Sequence, residues 1–468
     1  MAEVSVDRAV QPPGKRSDGG VTPGRRRLLG RVRAGTGDLF PLAPATALRR
    51  PRIWLAALAV LTAAGLNLLR QPGAGALDTV WAEDGEIFLA QAVRHGGLGA
   101  VPISYAGYYH LVPRLLTALA VAVPSGAAAA VLAVEAALCT ALVALLVYTA
   151  SAGHLRSTLS RVLVSAIVVV VPVAQGDVLN SVANLHWYGL YALFWVFVWT
   201  PRPRAGRVVG ALTVLLVAGS DILTLAFVPL ALVRALRRQR DGRRDRYGVV
   251  LAVLLALGLA AQVSGLLLGT SSRQLSPNPV RALIGYVLRA VPAPLVGQHW
   301  LGSTVDTRWI VLAGVAWLLV AAAGVLVWTR RVRPAWPLAV AAVLQSIALY
   351  VLPVLLSGVA TPRYAVAPAM LVVVALVALL QPVPGAGARA AVPLAAAAPL
   401  YTLTALLALV CAVNLRTDND RARGPDWNDG LRAARHACAA GGSTATIPIP
   451  PPAHPPWQVS VPCGYVRG

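Results

Sequence analysis

Acidic residues are scarce in this chain, 18 against 41 basic ones, and charged residues of both signs together make up only 13% of the 468 positions. Soluble domains carry roughly a quarter of their residues as charges, so an ordinary water-facing globule is excluded. Lysine is all but missing: Lys15 is alone, and the arginine, alanine and valine that take its place suggest a high-GC bacterial genome. Cysteine is limited to four positions with no CxxC or histidine-rich spacing, which argues against a zinc centre. Residues 1–50 lack the apolar core and cleavage site of a secretory signal, so the first span is expected to remain in the protein.

What the chain has instead is apolar sequence. It is 57% hydrophobic with a mean hydropathy of +0.67. Runs of spanning length recur from Arg52 to Val413, more than any soluble core could bury. The expected fold class is all-α: a polytopic integral membrane protein with amphipathic surface helices in its outer loops. The net charge of +23 does not indicate nucleic acid, because the basic clusters Arg25–Arg33, Arg202–Arg207, Arg234–Arg246 and Arg330–Arg333 are short and flanked by apolar spans. That is the positive-inside pattern of a multi-pass protein of the cell membrane.

The arginines set a topology. Residues 1–50 read as a disordered basic cytoplasmic tail, and Arg52–Leu69 runs outward, placing residues 71–110 outside. Gly126–Ala150 returns, Val162–Gln175 exits and Tyr188–Thr200 re-enters. One crossing only separates the outer loop from the basic linker His154–Arg161. Leu111–Val123, short and carrying Pro113 and Arg114, is therefore expected on the outer surface. Val208–Gly219 and Ile222–Val233 pair around Ser220-Asp221. Tyr247–Gly269 leads to a long outer loop within 270–308, in which Val280–Arg289 has the spacing of a second surface helix. Val311–Trp328, Leu338–Leu356, Ala365–Leu380 and Pro393–Val413 complete about eleven spans, with the N-terminus in and the C-terminus out. The organisation expected is a tail (1–50), a transmembrane module (51–413, outer loops 71–125 and 270–308) and an extracytoplasmic tail (414–468).

Carboxylates crowd the outer side. The first outer loop holds Asp78, Glu83, Asp84 and Glu86 with Trp81 and Phe88 interleaved, followed by Tyr105, Tyr108, Tyr109, His110 and Arg114. A partly buried carboxylate there can take a proton from a sugar hydroxyl, and nearby Arg or His can neutralise a phosphate leaving group. The plainer reading is a solvated acidic loop. Asn180, Asn184, His186 and Trp187 mark the outer mouth of the fourth span, where an aromatic belt is the plain alternative. Asp221 sits at a hairpin tip. Thr361-Pro362-Arg363-Tyr364 forms a short outer loop whose arginine either reaches a lipid phosphate or anchors at the interface. Glu135, within a span, is the mark of an ion pathway if it is anything.

A first span, an outer loop with a Glu83-Asp84 pair, and a surface helix opened by Tyr109-His110-Leu111-Val112-Pro113-Arg114 together resemble the GT-C superfamily, the polytopic glycosyltransferases that use polyprenyl-phosphate sugars. The His-Pro-Pro-Leu-like element is loose here, with its prolines displaced, and the likeness is best over the first ~150 residues. The resemblance implies transfer from a polyprenyl-phosphate sugar to a cell-envelope glycan or glycolipid at the extracytoplasmic face. Asp84 or Glu83 would act as base, with His110, Arg114, Asn184, His186, Asp221, Arg363 and Tyr364 around the substrates; no metal ligands are assigned, and metal dependence is left open. A transporter or flippase for lipid-linked envelope precursors is the alternative. Cys438 and Cys463, both in the outer tail, are expected to pair as a staple, because about 55 residues make a marginal core. The run Ile447–Pro452 has a polyproline II signature.

Overall fold

The structure, a computed structural model, describes residues 39–44, 50–238, 244–268, 276–301, 306–383, 394–452 and 455–467. The expected disordered tail lies almost wholly outside them. The described chain is helical apart from one small hairpin, and seven of its helical stretches are long and apolar enough to cross a bilayer: Ser125–Gly153, Arg246–Leu268, Pro279–Val296, Thr307–Trp328, Trp336–Ser357, Pro362–Leu379 and Ala396–Val413. Shorter apolar helices of 10–17 residues stand at several of the other expected spans, among them Ile53–Leu69, Thr158–Val170 and Leu185–Val198, and one of the seven, Pro279–Val296, falls in the expected outer loop.

Two helices form the centre. α1 (Leu185–Val198) and α2 (Val366–Leu379) are apolar on every side, and nearly every position of each is buried. A helix without a polar face belongs inside a bundle. α1 and α2 pack on one another, and the rings of Trp187 and Tyr364, at the starts of the two helices, lie 5.6 Å apart.

The connections sort to the two ends of this pair. At the C-terminal end of α1, Ala43 N–H donates to Thr200 O, His154 Nε2 lies 3.3 Å from Val198 O, and Arg237 donates to Phe40 O. Arg234, drawn from a basic cluster, is fully buried there. It donates to Val196 O and Phe197 O, in the last turn of α1, and pairs with Asp245 at 3.6 Å. It thus satisfies carbonyls that a helix end leaves bare. At the opposite end lie residues 71–110, the loop 171–184, the turn at Pro362–Ala365 and the tail after Val413.

Leu111–Val121, within the stretch Leu111–Val123 expected to lie on the surface, is an eleven-residue helix, shorter than a bilayer crossing needs. The second surface helix differs from its expectation. Instead of ending at Arg289, the helical run continues to Val296 and is wedged among its neighbours. Tyr286 Oη donates to Ser346 Oγ, and the indoles of Trp309 and Trp317 donate to Leu288 O and Val287 O. The apolar stretch Val291–Val296 extends it, and the buried Trp309 indole needs such a carbonyl partner.

The tail is a folded unit. Helix α3 (Trp427–Ala439) buries Trp427, Leu431, Ala434 and Cys438 on one face and packs against strand β1 (Thr444–Pro448), which pairs with β2 (Gln458–Pro462). The strands pair antiparallel with Ala445, Ile447, Val459 and Val461 inward. Ile447-Pro448 is therefore the end of strand β1 rather than polyproline II, and Ile449 follows just beyond it. The prolines fall at alternate positions, which leaves Ile449 N–H free to donate to Trp457 O.

Cys438 and Cys463 are disulfide-bonded, with Cα atoms 5.6 Å apart, and tie the end of α3 to the end of β2. Closing this loop stabilises the tail by roughly 3 kcal/mol in the chain-entropy description. Alkylation of membrane-isolated protein is expected to label neither of these thiols until reductant is added. Two freely alkylated cysteines in unreduced protein would refute the staple.

Candidate functional site

The site is built at the end where α1 and α2 begin. Asp84 opens a short π-helical segment, Asp84–Leu89, an irregularity that recurs at functional positions. It is 1% exposed. Its Oδ1 accepts from Ser181 Oγ at 3.1 Å and from Ala183 N–H at 2.7 Å. Both bonds fall on one oxygen, so Oδ2 has no hydrogen bond among the described residues. Burial pushes the carboxyl up to about 7. Arg421 and the Ala183 amide pull against that shift, Glu83 adds to it, and the Ser181 hydroxyl opposes it. An acid that changes charge near neutrality can accept a proton there.

The neighbour Glu83 points elsewhere. Its Oε1 lies 3.7 Å from Arg363 Nη1, in a pair that stays partly open: the side chains are 17% and 30% exposed. Asp177 faces the same guanidinium. Burial raises its pKa, Arg363 opposes this, and Glu83 and Asp420 reinforce it. The cluster thus holds more negative than positive charge around one arginine.

Asn184 shapes the loop that carries Asp84's donors, its Nδ2 bonding Asp177 O at 2.9 Å and Ser181 Oγ at 3.1 Å. His186 is anchored by Nδ1 near Ala183 O and lies against Trp187, on which Tyr364 also packs. Asp84, Glu83, Asn184, His186, Arg363 and Tyr364 are therefore linked through shared contacts. Comparison with protein-family models, with curated proteins and with solved structures gave no match.

Three other expected residues stand differently. His110 precedes the Leu111–Val121 helix, buried in an aromatic nest with Tyr108 at 4.2 Å, Phe88 at 5.2 Å and Tyr105 at 5.7 Å between ring centroids. Arg114 is wholly buried, its guanidinium 4.8 Å over Phe88 and bonded to Ile103 O. Its Nε and Nη1 have no partner among the described residues, and burial lowers its pKa to about 10. Asp221 has a helix-capping role: Oδ1 accepts from Leu223 N–H at 2.8 Å.

Two of the loop's four carboxylates dock the tail. Asp78 Oδ1 accepts from the backbone and side chain of Asn428, and Glu86 Oε2 accepts from Gln458 N–H. Ala82 N–H donates to Pro450 O, and Gly85 meets Ile449 and Val459 so closely that a Cβ there would lie 2.6 Å and 2.7 Å from their methyls. The acidic crowding is thus partly structural.

Sequence reasoning missed Ser181, Ala183, Asp177 and Arg421. Asn180 and Asn184 flagged the loop that holds the first two; nothing local flagged Arg421.

Proposed function

We propose that the protein is a GT-C-like membrane glycosyltransferase, transferring a sugar from a polyprenyl-phosphate donor to a cell-envelope glycan or glycolipid at the extracytoplasmic face of the plasma membrane. The observation that carries the reading is the buried Asp84, poised near neutrality beside a partly open arginine at the meeting of two helix N-termini. Asp84 Oδ2 removes the acceptor's hydroxyl proton as that oxygen attacks the anomeric carbon. The bond from that carbon to the phosphate oxygen breaks, and polyprenyl phosphate leaves with the electron pair. The configuration inverts, and no general acid is needed because phosphate is a competent leaving group.

Arg363 supplies the electrostatic part. Its contact with Glu83 is long and half-open, a geometry of small net stability, so a phosphate can displace the carboxylate and accept the guanidinium fork. The positive ends of α1 and α2 favour an anion at the same place. Arg114's unmet donors offer a second contact. Outer placement fits the segregation of basic loops to the other end of α1.

The test is transfer from a labelled polyprenyl-phosphate sugar in membranes carrying the protein. Loss of a charge-assisted hydrogen bond costs about 1.5–3 kcal/mol, so Arg363→Ala is expected to raise the donor KM by roughly 10–100-fold, with a smaller change in kcat. An unchanged KM would remove Arg363 from the donor site. Absence of transfer by the parent across a panel of donors would sink the reading.

Transport of lipid-linked envelope precursors is the second reading. Glu135 stands inside the Ala128–Ala150 helix with Oε2 buried and lacking a hydrogen-bond partner among the described residues, and a carboxylate within a span is a candidate for an ion or proton pathway. It predicts that Glu135, not Asp84, is indispensable.

A further inference from the structure

Arg421 lies just beyond the last apolar helix, in the segment between Val413 and the folded tail, and is 1% exposed. A lone buried guanidinium is costly unless its donors are met. Here both terminal nitrogens are met by main chain from two separate segments, while Nε has no partner among the described residues: Nη1 donates to Leu179 O, and Nη2 reaches Asn180 O at 3.3 Å and Thr79 O at 3.5 Å. Leu179 and Asn180 immediately precede Ser181 and Ala183, the two donors to Asp84. Thr79 lies five residues before Asp84 itself.

The clamped backbone needs holding. Asn180 has φ of +51°, a left-handed conformation that asparagine tolerates better than most residues, and Nδ2 pins it to Asn67 O at 3.0 Å. Behind Arg421, Ala422 O presses on Gly73 so closely that a Cβ there would sit 2.2 Å away. The segment is wedged in, and its side chain has one place to go.

We propose that Arg421 is the positioning residue of Asp84: the tail segment delivers a guanidinium that clamps Leu179, Asn180 and Thr79, and so fixes the Ser181 and Ala183 donors against the carboxylate while setting its electrostatic surroundings. Its effect on catalysis rests on the glycosyltransferase reading above; its effect on Asp84 does not. The pair forms no direct ion pair, and Arg421 acts through space and through the backbone. The charges that bear on Asp84 are Arg421, which favours its ionised form, and Glu83, which disfavours it. Arginine suits the task because a planar fork serves several carbonyls at once, where a lysine ammonium on a flexible stem does not.

The experiment uses the full-length protein in membranes, with Arg421→Gln and Arg421→Lys. Dicyclohexylcarbodiimide modifies protonated carboxyls in apolar settings, so labelling of Asp84 against pH, located by mass spectrometry, reports its ionisation without any enzymatic assay. In Arg421→Gln the midpoint is expected to move upward by about one pH unit. In Arg421→Lys, which keeps the charge and loses the fork, it stays near the parental value, while kcat falls and the donor KM is little altered. A merely structural arginine would lower thermal stability in both variants without moving the midpoint.

An unmoved midpoint in a folded, disulfide-intact Arg421→Gln protein overturns the proposal. Should that variant fail to fold, Arg421→Lys with parental kcat overturns the clamp. A shifted midpoint in a protein that transfers no sugar leaves Arg421's role standing and removes the glycosyltransferase reading instead.

Discussion

Asp84→Asn is expected to lower sugar transfer by about 10²–10⁴, the usual contribution of a positioned base, with donor binding changed much less. The substitution keeps the shape of the side chain. Asparagine's Oδ1 can accept the same two hydrogen bonds from Ser181 and Ala183, so insertion and folding survive. The parental rate should also depend on pH with a defined sign. A base must be ionised to work, so transfer falls as pH drops through about 7, and the variant loses that limb. Glu83→Gln is expected to be milder, because that carboxylate sits on Arg363. If Asp84→Asn, Glu83→Gln and the double variant all transfer at the parental rate, the catalytic site lies elsewhere or the chemistry is not glycosyl transfer.

The same carboxylate should leave a mark on stability that needs no substrate. Its pKa rises from an ordinary 3.8 to about 7 on burial, so the folded state holds its proton longer than the unfolded state. Below pH 4 both states are protonated and nothing is lost. Between pH 4 and 7 the unfolded chain ionises first, and stability drains away; above 7 the loss is complete, at about 4 kcal/mol. That figure already includes the attraction of Arg421. Asp84→Asn removes the penalty, so its melting temperature should exceed the parent's by several degrees at pH 8 and match it near pH 4. Thermal unfolding of detergent-solubilised protein at the two pH values measures this. An equal difference at both values would show that Asp84 is solvated.

Much of this architecture was legible in the sequence because membranes impose simple rules. Arginine clusters and spanning-length apolar runs indicated helices, and the parity between them singled out Leu111–Val123, where the structure has a helix of only eleven residues, as a non-spanning element. Glu83-Asp84 stood out as an adjacent carboxylate pair next to aromatic residues. The sequence could not say that the two acids have different partners, one a hydroxyl and an amide, the other a guanidinium. Arg421 was invisible because its carbonyl partners lie more than 240 residues away, and an arginine among Arg421, Arg423 and several aspartates looks like ordinary solvated charge. Asp78 and Glu86 misled for the converse reason: they accept from amides of a docked segment, and no local pattern distinguishes such acceptors from catalytic acids.

The docked tail also has a consequence in time. A ribosome makes the 71–110 loop early and Arg421 only after the last apolar helix. Until the tail has folded against that loop, Asp78, Glu86 and the Ala82 amide wait without their partners, and the carbonyls of Thr79, Leu179 and Asn180 wait for theirs. A chain interrupted after Val413 would hold every membrane helix and still lack a finished site. The hydrogen-bonded surroundings of Asp84 are therefore complete only once the final segment is in place.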